Sequence, residues 1–147
     1  MAGIGLEMNV EGIRAADLFI GGLTRWNLAD LAFNIGAILE SSTKRRIAEE
    51  KTAPDGTPWA PWSEAYDETR EPYHSLLVNE GNLRDSIANS SRGLAAIVGS
   101  NLIYAAHQHE GSEGDGGIPS RPFLGVSDED EREIRALITG EVEDMLP

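Results

Sequence analysis

Apolar and polar positions alternate at the start of the chain. Ile4, Leu6, Met8 and Val10 interleave with Gly5, Glu7 and Asn9. That period of two predicts a short, half-buried strand ended by Gly12. The period then changes. A brief helical stretch, 13–20, is broken by Gly21 and Gly22. From Thr24 onward Leu28, Leu31, Ile35, Ile38 and Leu39 recur at three- and four-residue steps, and Ile47 follows two turns later. The stripe predicts a helix of about seven turns from Trp26 to Lys51, with Thr24 or Asn27 as its cap and Pro54 beyond its end.

"TAPDGTPWAPWSEAY", residues 52–66, interrupts both periods. Proline lacks the amide donor that a helix interior or a central strand needs, so this is a shaped loop. Its indoles, Trp59 and Trp62, are expected to pin it to the core or to a neighbouring subunit. Further on, Leu83 and Ile87 mark a single helical turn, and "GLAAIVGS" reads as a strand. "LIYAAHQHEG" reads as a helical turn stopped by Gly111, and "RPFLGV" as a final strand or extended edge. "SDEDEREIRALITGEVEDMLP" closes the chain as an amphipathic helix. Ser127 and Asp130 make a capping-box-like start, and Ile134, Leu137, Ile138, Val142, Met145 and Leu146 form the apolar stripe. The expected architecture is α+β: one domain over 1–147, with a small, mostly antiparallel sheet packed by the long helix and the C-terminal helix. Residues 1–23 form an N-terminal extension and 111–117 a flexible loop.

Composition narrows the function. The chain has 147 residues, long enough to bury a core, and no cysteine, which removes thiol catalysis and thiolate metal sites. No apolar run approaches the length of a membrane span, and no secretory signal opens the chain. A net charge of −13 is unsuited to gripping duplex DNA through its phosphates. The charge is also uneven: acids crowd the C-terminal segment while "KRR" stands at 44–46. Such segregation suits head-to-tail packing of copies, basic patch on acidic patch, or simply a solvated acidic helix.

The candidate chemistry lies in "YAAHQHEGSEGDGGIPSRPFLG", 104–125. On a strand His107 and His109 would share a face and could ligate a metal with Glu110 or Asp115; on a helical turn they diverge by about 200°. No HExxH spacing, nucleophile elbow, Walker loop or GxGxxG motif occurs. Nothing in these motifs argues for an enzyme, and no cofactor or metal is expected; a small metal-dependent hydrolase using His107 and His109 is the alternative from a different class. Arg121, between two prolines, suits a bidentate carboxylate at an interface or in a buried pair. Phe123 and Leu124 suit the core.

"PDGTPWAPWS", "LLVNEGNLRDSI", "IVGSNLIYAAHQHEG" and "IPSRPFLGVSDED", in this order, resemble the phage virion morphogenesis (tail-completion) proteins of Mu-like and P2-like phages, from about Leu28 to Leu146. The family resembles neck and tail-terminator proteins. The resemblance implies a structural virion protein that completes the tail and joins it to the head as a homo-oligomeric ring, commonly of six subunits. Its implied partners are the tail tube or sheath protein and a head-side connector or stopper. Viral DNA would pass through without specific binding, and no membrane is involved. It implies assembly in the host cytoplasm and a final place at the virion neck; head completion is the alternative role. Matched onto this chain, the implied interface residues are Asp55, Trp59, Tyr104, His107, Gln108, Ile118, Pro119, Arg121, Pro122 and Phe123. His109 and Glu110 depart from the family pattern, which places a glycine directly after the histidine–glutamine pair.

Overall fold

A computed structural model of the chain describes residues 3–10, 28–69, 75–78, 81–113 and 117–145. The elements run β1 (Ile4–Asn9), α1 (Leu28–Arg45) with a π-helical turn (Arg46–Glu50), α2 (Glu64–Thr69), α3 (Asn82–Ser86), β2 (Ala88–Asn89), β3 (Ala95–Ser100), α4 (Ala105–Glu110) and α5 (Asp128–Met145). This is the expected α+β arrangement. The expected short helix at 13–20, the caps at Thr24 and Asn27, and the centre of the 111–117 loop lie outside the described residues.

The strands form one antiparallel sheet in the order β1-β3-β2. Pairing of Ile4 with Ser100, Leu6 with Val98 and Met8 with Ala96 fixes the register. The period of two then sends those six side chains to one face, where α1 lies across β3 and fully buries Ala96 and Val98. The other face carries Gly5, Glu7, Ala88, Ala95, Ile97 and Gly99. Gly99 is required by this pairing, because a Cβ there would run into the Ile4 carbonyl oxygen. Gly36 has the same role on α1: a Cβ would meet the side chains of Asn89 and Ser91, and Asn89 Nδ2 donates to the Phe33 carbonyl at 2.9 Å.

Leu31, Ile35, Leu39 and Ile47 are buried, as their spacing predicts. The helix ends differently from the expectation. Beyond Arg45 it widens to a π turn, closed by Lys51 N–H to the Arg46 carbonyl at 2.9 Å, with Lys51 left-handed at φ 57°. That conformation costs a non-glycine residue about 1–2 kcal/mol. The Lys51 ammonium offsets it by donating to Ile47 O (2.5 Å), Leu76 O (2.7 Å) and Ser75 Oγ (2.9 Å), which ties the helix end to the 75–78 turn. Burial first, and Arg84 second, pull its pKa down to about 8.

α5 begins on a reciprocal cap: Asp130 N–H donates to Ser127 Oγ and Ser127 N–H to Asp130 Oδ2, both at 3.0 Å. Asp therefore does the work of the Glu or Gln usual at this position. Ile134 is buried and Leu137 and Ile138 pack on the core; the rest of the predicted stripe lies beyond the described side chains. "RPFLGV" forms neither a strand nor a sheet edge. It is irregular chain, because its amides and carbonyls bond side chains of other segments, as described below.

Candidate interaction site: two loops locked across the C-terminal end of helix α1

The proline-rich loop 52–62 and the segment 118–125 lie against each other and are tied in both directions. Trp59, buried, donates its indole N–H to the Pro122 carbonyl at 2.7 Å. Arg121, also buried, returns two bonds, Nε to Ala60 O at 2.8 Å and Nη2 to Pro61 O at 3.0 Å. These carbonyls are available because Pro61 and Pro122 hold the chain in extended geometry, outside any helix or ladder. Arg121 thus has backbone carbonyls where a carboxylate was expected, and burial lowers its pKa.

A second layer fixes 118–125 from below. His109 Nδ1 accepts from the amides of Phe123 (3.3 Å) and Leu124 (3.4 Å), and its ring stands edge-on to Phe123, centroids 5.1 Å apart. An accepting Nδ1 places the neutral ring's proton on Nε2. Burial lowers the imidazole pKa, with Glu110 opposing. Ser120 Oγ donates to the His109 carbonyl at 2.8 Å. The loop's base is closed by Ser112 N–H to Ile118 O at 2.9 Å and by Ile118 N–H to Ser112 Oγ at 3.0 Å. Gly111, at φ 78°, makes the turn possible, because a Cβ would press on the backbone of 118–120.

The deepest part is ionic. Arg46 donates Nη1 to the Phe123 carbonyl at 2.6 Å and Nη2 to Ser42 Oγ at 3.0 Å and Asp130 Oδ2 at 3.3 Å. Both members of the Arg46–Asp130 pair are buried, and Asp130 Oδ1 is buried with no hydrogen-bond partner among the described residues. Burial lowers the Arg46 pKa while Asp130 raises it. The basic run at 44–46 is therefore no free patch for another copy. Lys44 pairs with Glu40 (3.2 Å), Arg45 with Glu50 (3.0 Å) and Arg46 with Asp130. The Arg45 pKa is raised by its bond to Glu50 and by the fields of Glu129 and Glu133, so the acids of α5 answer the basic run within one chain. Arg46 had a sequence signal that went unused: it continues the buried stripe of Ile35, Leu39 and Ser42 at steps of four, three and four.

The ten expected interface positions fall into three groups. Trp59, Arg121 and Phe123 are buried inside the fold rather than displayed on it. They set the shape of the surface instead. Pro122, Gln108 and Ile118 are half-buried, while Asp55, Tyr104, His107 and Pro119 are exposed. Asp55 Oδ1 accepts from Thr57 N–H at 2.9 Å, closing an Asx turn that lowers its pKa. His107 and His109 lie on helix α4, the first exposed and the second turned into the clamp. Among the described residues, no three His, Asp or Glu side chains group so as to hold a metal.

The geometry defines a protein whose buried guanidinium groups and indole, with a half-buried imidazole, hold its own loops in a fixed shape. Its model matching residues 20–143, the phage virion morphogenesis family is the family to which this chain belongs. The chain is 30% identical over 109 residues to the putative capsid assembly protein G of Escherichia phage Mu, covering 68% of this chain and 70% of that protein. It is 45% identical over 62 residues to the Mu-like prophage FluMu G protein 2 of Haemophilus influenzae, covering 40% of this chain and 45% of that protein. No solved structure matches the chain. The chain is thus a protein of phage virion morphogenesis, and no described helix is long and apolar enough to cross a membrane.

Proposed function

We propose that this chain completes the tail of a phage and joins it to the head, as a non-catalytic ring of six copies in the neck. The observation that carries the reading is family membership across 20–143, a span that includes both halves of the clamp. A stiff, pre-shaped surface lowers the ordering cost of meeting a partner. The tail tube or sheath protein would lie on one side and a head-side connector or stopper on the other. DNA would slide through, repelled by the chain's net charge of −13. Assembly would take place in the host cytoplasm and the finished ring would remain in the virion.

Head completion is the second reading, favoured by the name of the Mu relative, a putative capsid assembly protein. Deleting the gene from its phage and mixing the lysate with purified wild-type heads or tails separates the two. Tails from the deletion that fail to join wild-type heads support tail completion. Heads that fail to join wild-type tails support head completion. Full joining in both mixtures overturns both.

A further inference from the structure

The most exposed large apolar side chain among the described residues is Ile103, 83% exposed, and Tyr104 beside it is 43% exposed. They form the turn between β3 and α4. Next to them the open face of the sheet holds a hollow of about 450 Å³, lined in part by Gly5, Ser86, Ala88, Ile97, Gly99 and Asn101. Among the described residues, no charged one lines it. From Gly93 to His109 the chain carries no Asp, Glu, Lys or Arg, although a quarter of all its residues are charged. An apolar knob beside an uncharged hollow marks an interaction surface.

We propose that a second copy of this chain docks on this face, with the Ile103–Tyr104 turn of one copy seated against the open side of the sheet of another. Charge restricts where two copies can meet. Two copies at −13 each repel, so they approach only where the surface is neutral or where basic groups meet acidic ones. The second route is partly taken, because Lys44, Arg45, Arg46, Arg84 and Arg135 pair with acids of their own chain. The less charged route is this face, where Glu7 is the one charged side chain among the described strand positions. A hollow of this size accepts a pair of large side chains, and a tyrosine at its rim matches the residue type that anchors interfaces. This surface rests on the ring reading and supplies it with a contact.

Native mass spectrometry and light scattering across concentration test it, on three full-length proteins. These are the wild type, the Ile103→Glu/Tyr104→Glu variant, and a charge-matched control, Phe33→Glu/Val126→Glu, altered at other exposed apolar positions. The expected result is an oligomeric wild type and control, with the Ile103/Tyr104 variant folded by circular dichroism but dissociating at about tenfold higher concentration or more. The chain has no cysteine, so single-cysteine variants give an independent readout. Ile103→Cys mixed with Ala88→Cys should form an inter-copy disulfide, and Phe33→Cys mixed with Ala88→Cys should not. An unchanged oligomer in the Ile103/Tyr104 variant, without the cross-link, overturns this surface and leaves the ring reading standing. A wild type that stays monomeric at every concentration overturns the ring reading and this surface with it.

Discussion

The clamp and the open sheet face invert the usual distribution of side chains. In the clamp, two guanidinium groups, a carboxylate and an imidazole lie partly or wholly inside, each bonded to backbone or to an opposite charge. Beside the sheet face an isoleucine and a tyrosine stand in solvent, near a hollow whose described lining residues carry no charge. Buried polar groups confer geometric specificity only when their bonds are made, and breaking them leaves uncompensated charge or dipoles. Exposed apolar groups add nothing to folding and gain by being covered. The comparison teaches that, with copies docking at the turn as proposed, this chain would keep the bonds that fix its shape apart from the contacts by which copies associate. Substitutions in the clamp should alter stability, and substitutions at the turn should alter assembly.

The largest effect is expected at Arg46. Its guanidinium is 2% exposed and holds Asp130, Ser42 and the Phe123 carbonyl together. Arg46→Met leaves Asp130 buried without its cation, which costs about 3–5 kcal/mol. Urea unfolding of the variant checks this, and a loss below about 1 kcal/mol would mean that the pair is not a mainstay of the fold. Trp59→Phe comes next. It keeps the aromatic body and removes the indole donor from the Pro122 carbonyl. A loss of about 1–3 kcal/mol is expected, with the oligomer intact. A folded Trp59→Phe protein that no longer assembles would break the separation between the two regions.

How much of this was legible depended on distance along the chain. β1 was read from its alternation, α1 and α5 from their stripes, the start of α5 from Ser127 and Asp130, and the end of α4 from Gly111. Each is a signal within a few residues. The clamp is not local: Arg46 lies 84 residues from Asp130 and Trp59 63 residues from Pro122. Composition showed that Trp59 and Arg121 were too specific to be idle, but no spacing names a carbonyl as the partner. The basic run was read as a unit, whereas helical phase divides it. Arg46 follows the buried stripe, and Lys44 and Arg45 fall on neighbouring faces where Glu40 and Glu50 meet them.

A smaller effect, one with a definite pH signature, is expected at His109. Its Nδ1 accepts two amide donors, so the folded chain favours the neutral ring and the pKa lies below the usual 6.5. The unfolded chain takes up the proton first. The stabilisation from His109 is therefore complete above pH 6.5 and is lost as the pH falls from there through the folded-state value. His109→Asn keeps a polar side chain but does not titrate. The gap in unfolding free energy between wild type and variant should narrow from pH 7.5 to 5.5. A gap independent of pH would mean that the amides of Phe123 and Leu124 do not depend on that nitrogen.

The smallest expected effect on stability is at Ile103, and its smallness is the point. At 83% exposure the side chain has little more to lose to water on unfolding than it already shows, so the transfer free energy that stabilises Leu39 or Phe123 is absent here. Ile103→Ser should change the unfolding free energy by no more than about 0.5 kcal/mol when measured at concentrations where the protein is monomeric. At concentrations where copies associate, the same substitution should lower the apparent stability of the assembly, because binding of the folded state adds to its stability by mass action. Measuring wild type and variant at both concentrations therefore separates folding from association within one residue. A large loss in the monomer would show that Ile103 packs inside the chain after all, and the contrast between the clamp and the sheet face would fail at its sharpest point.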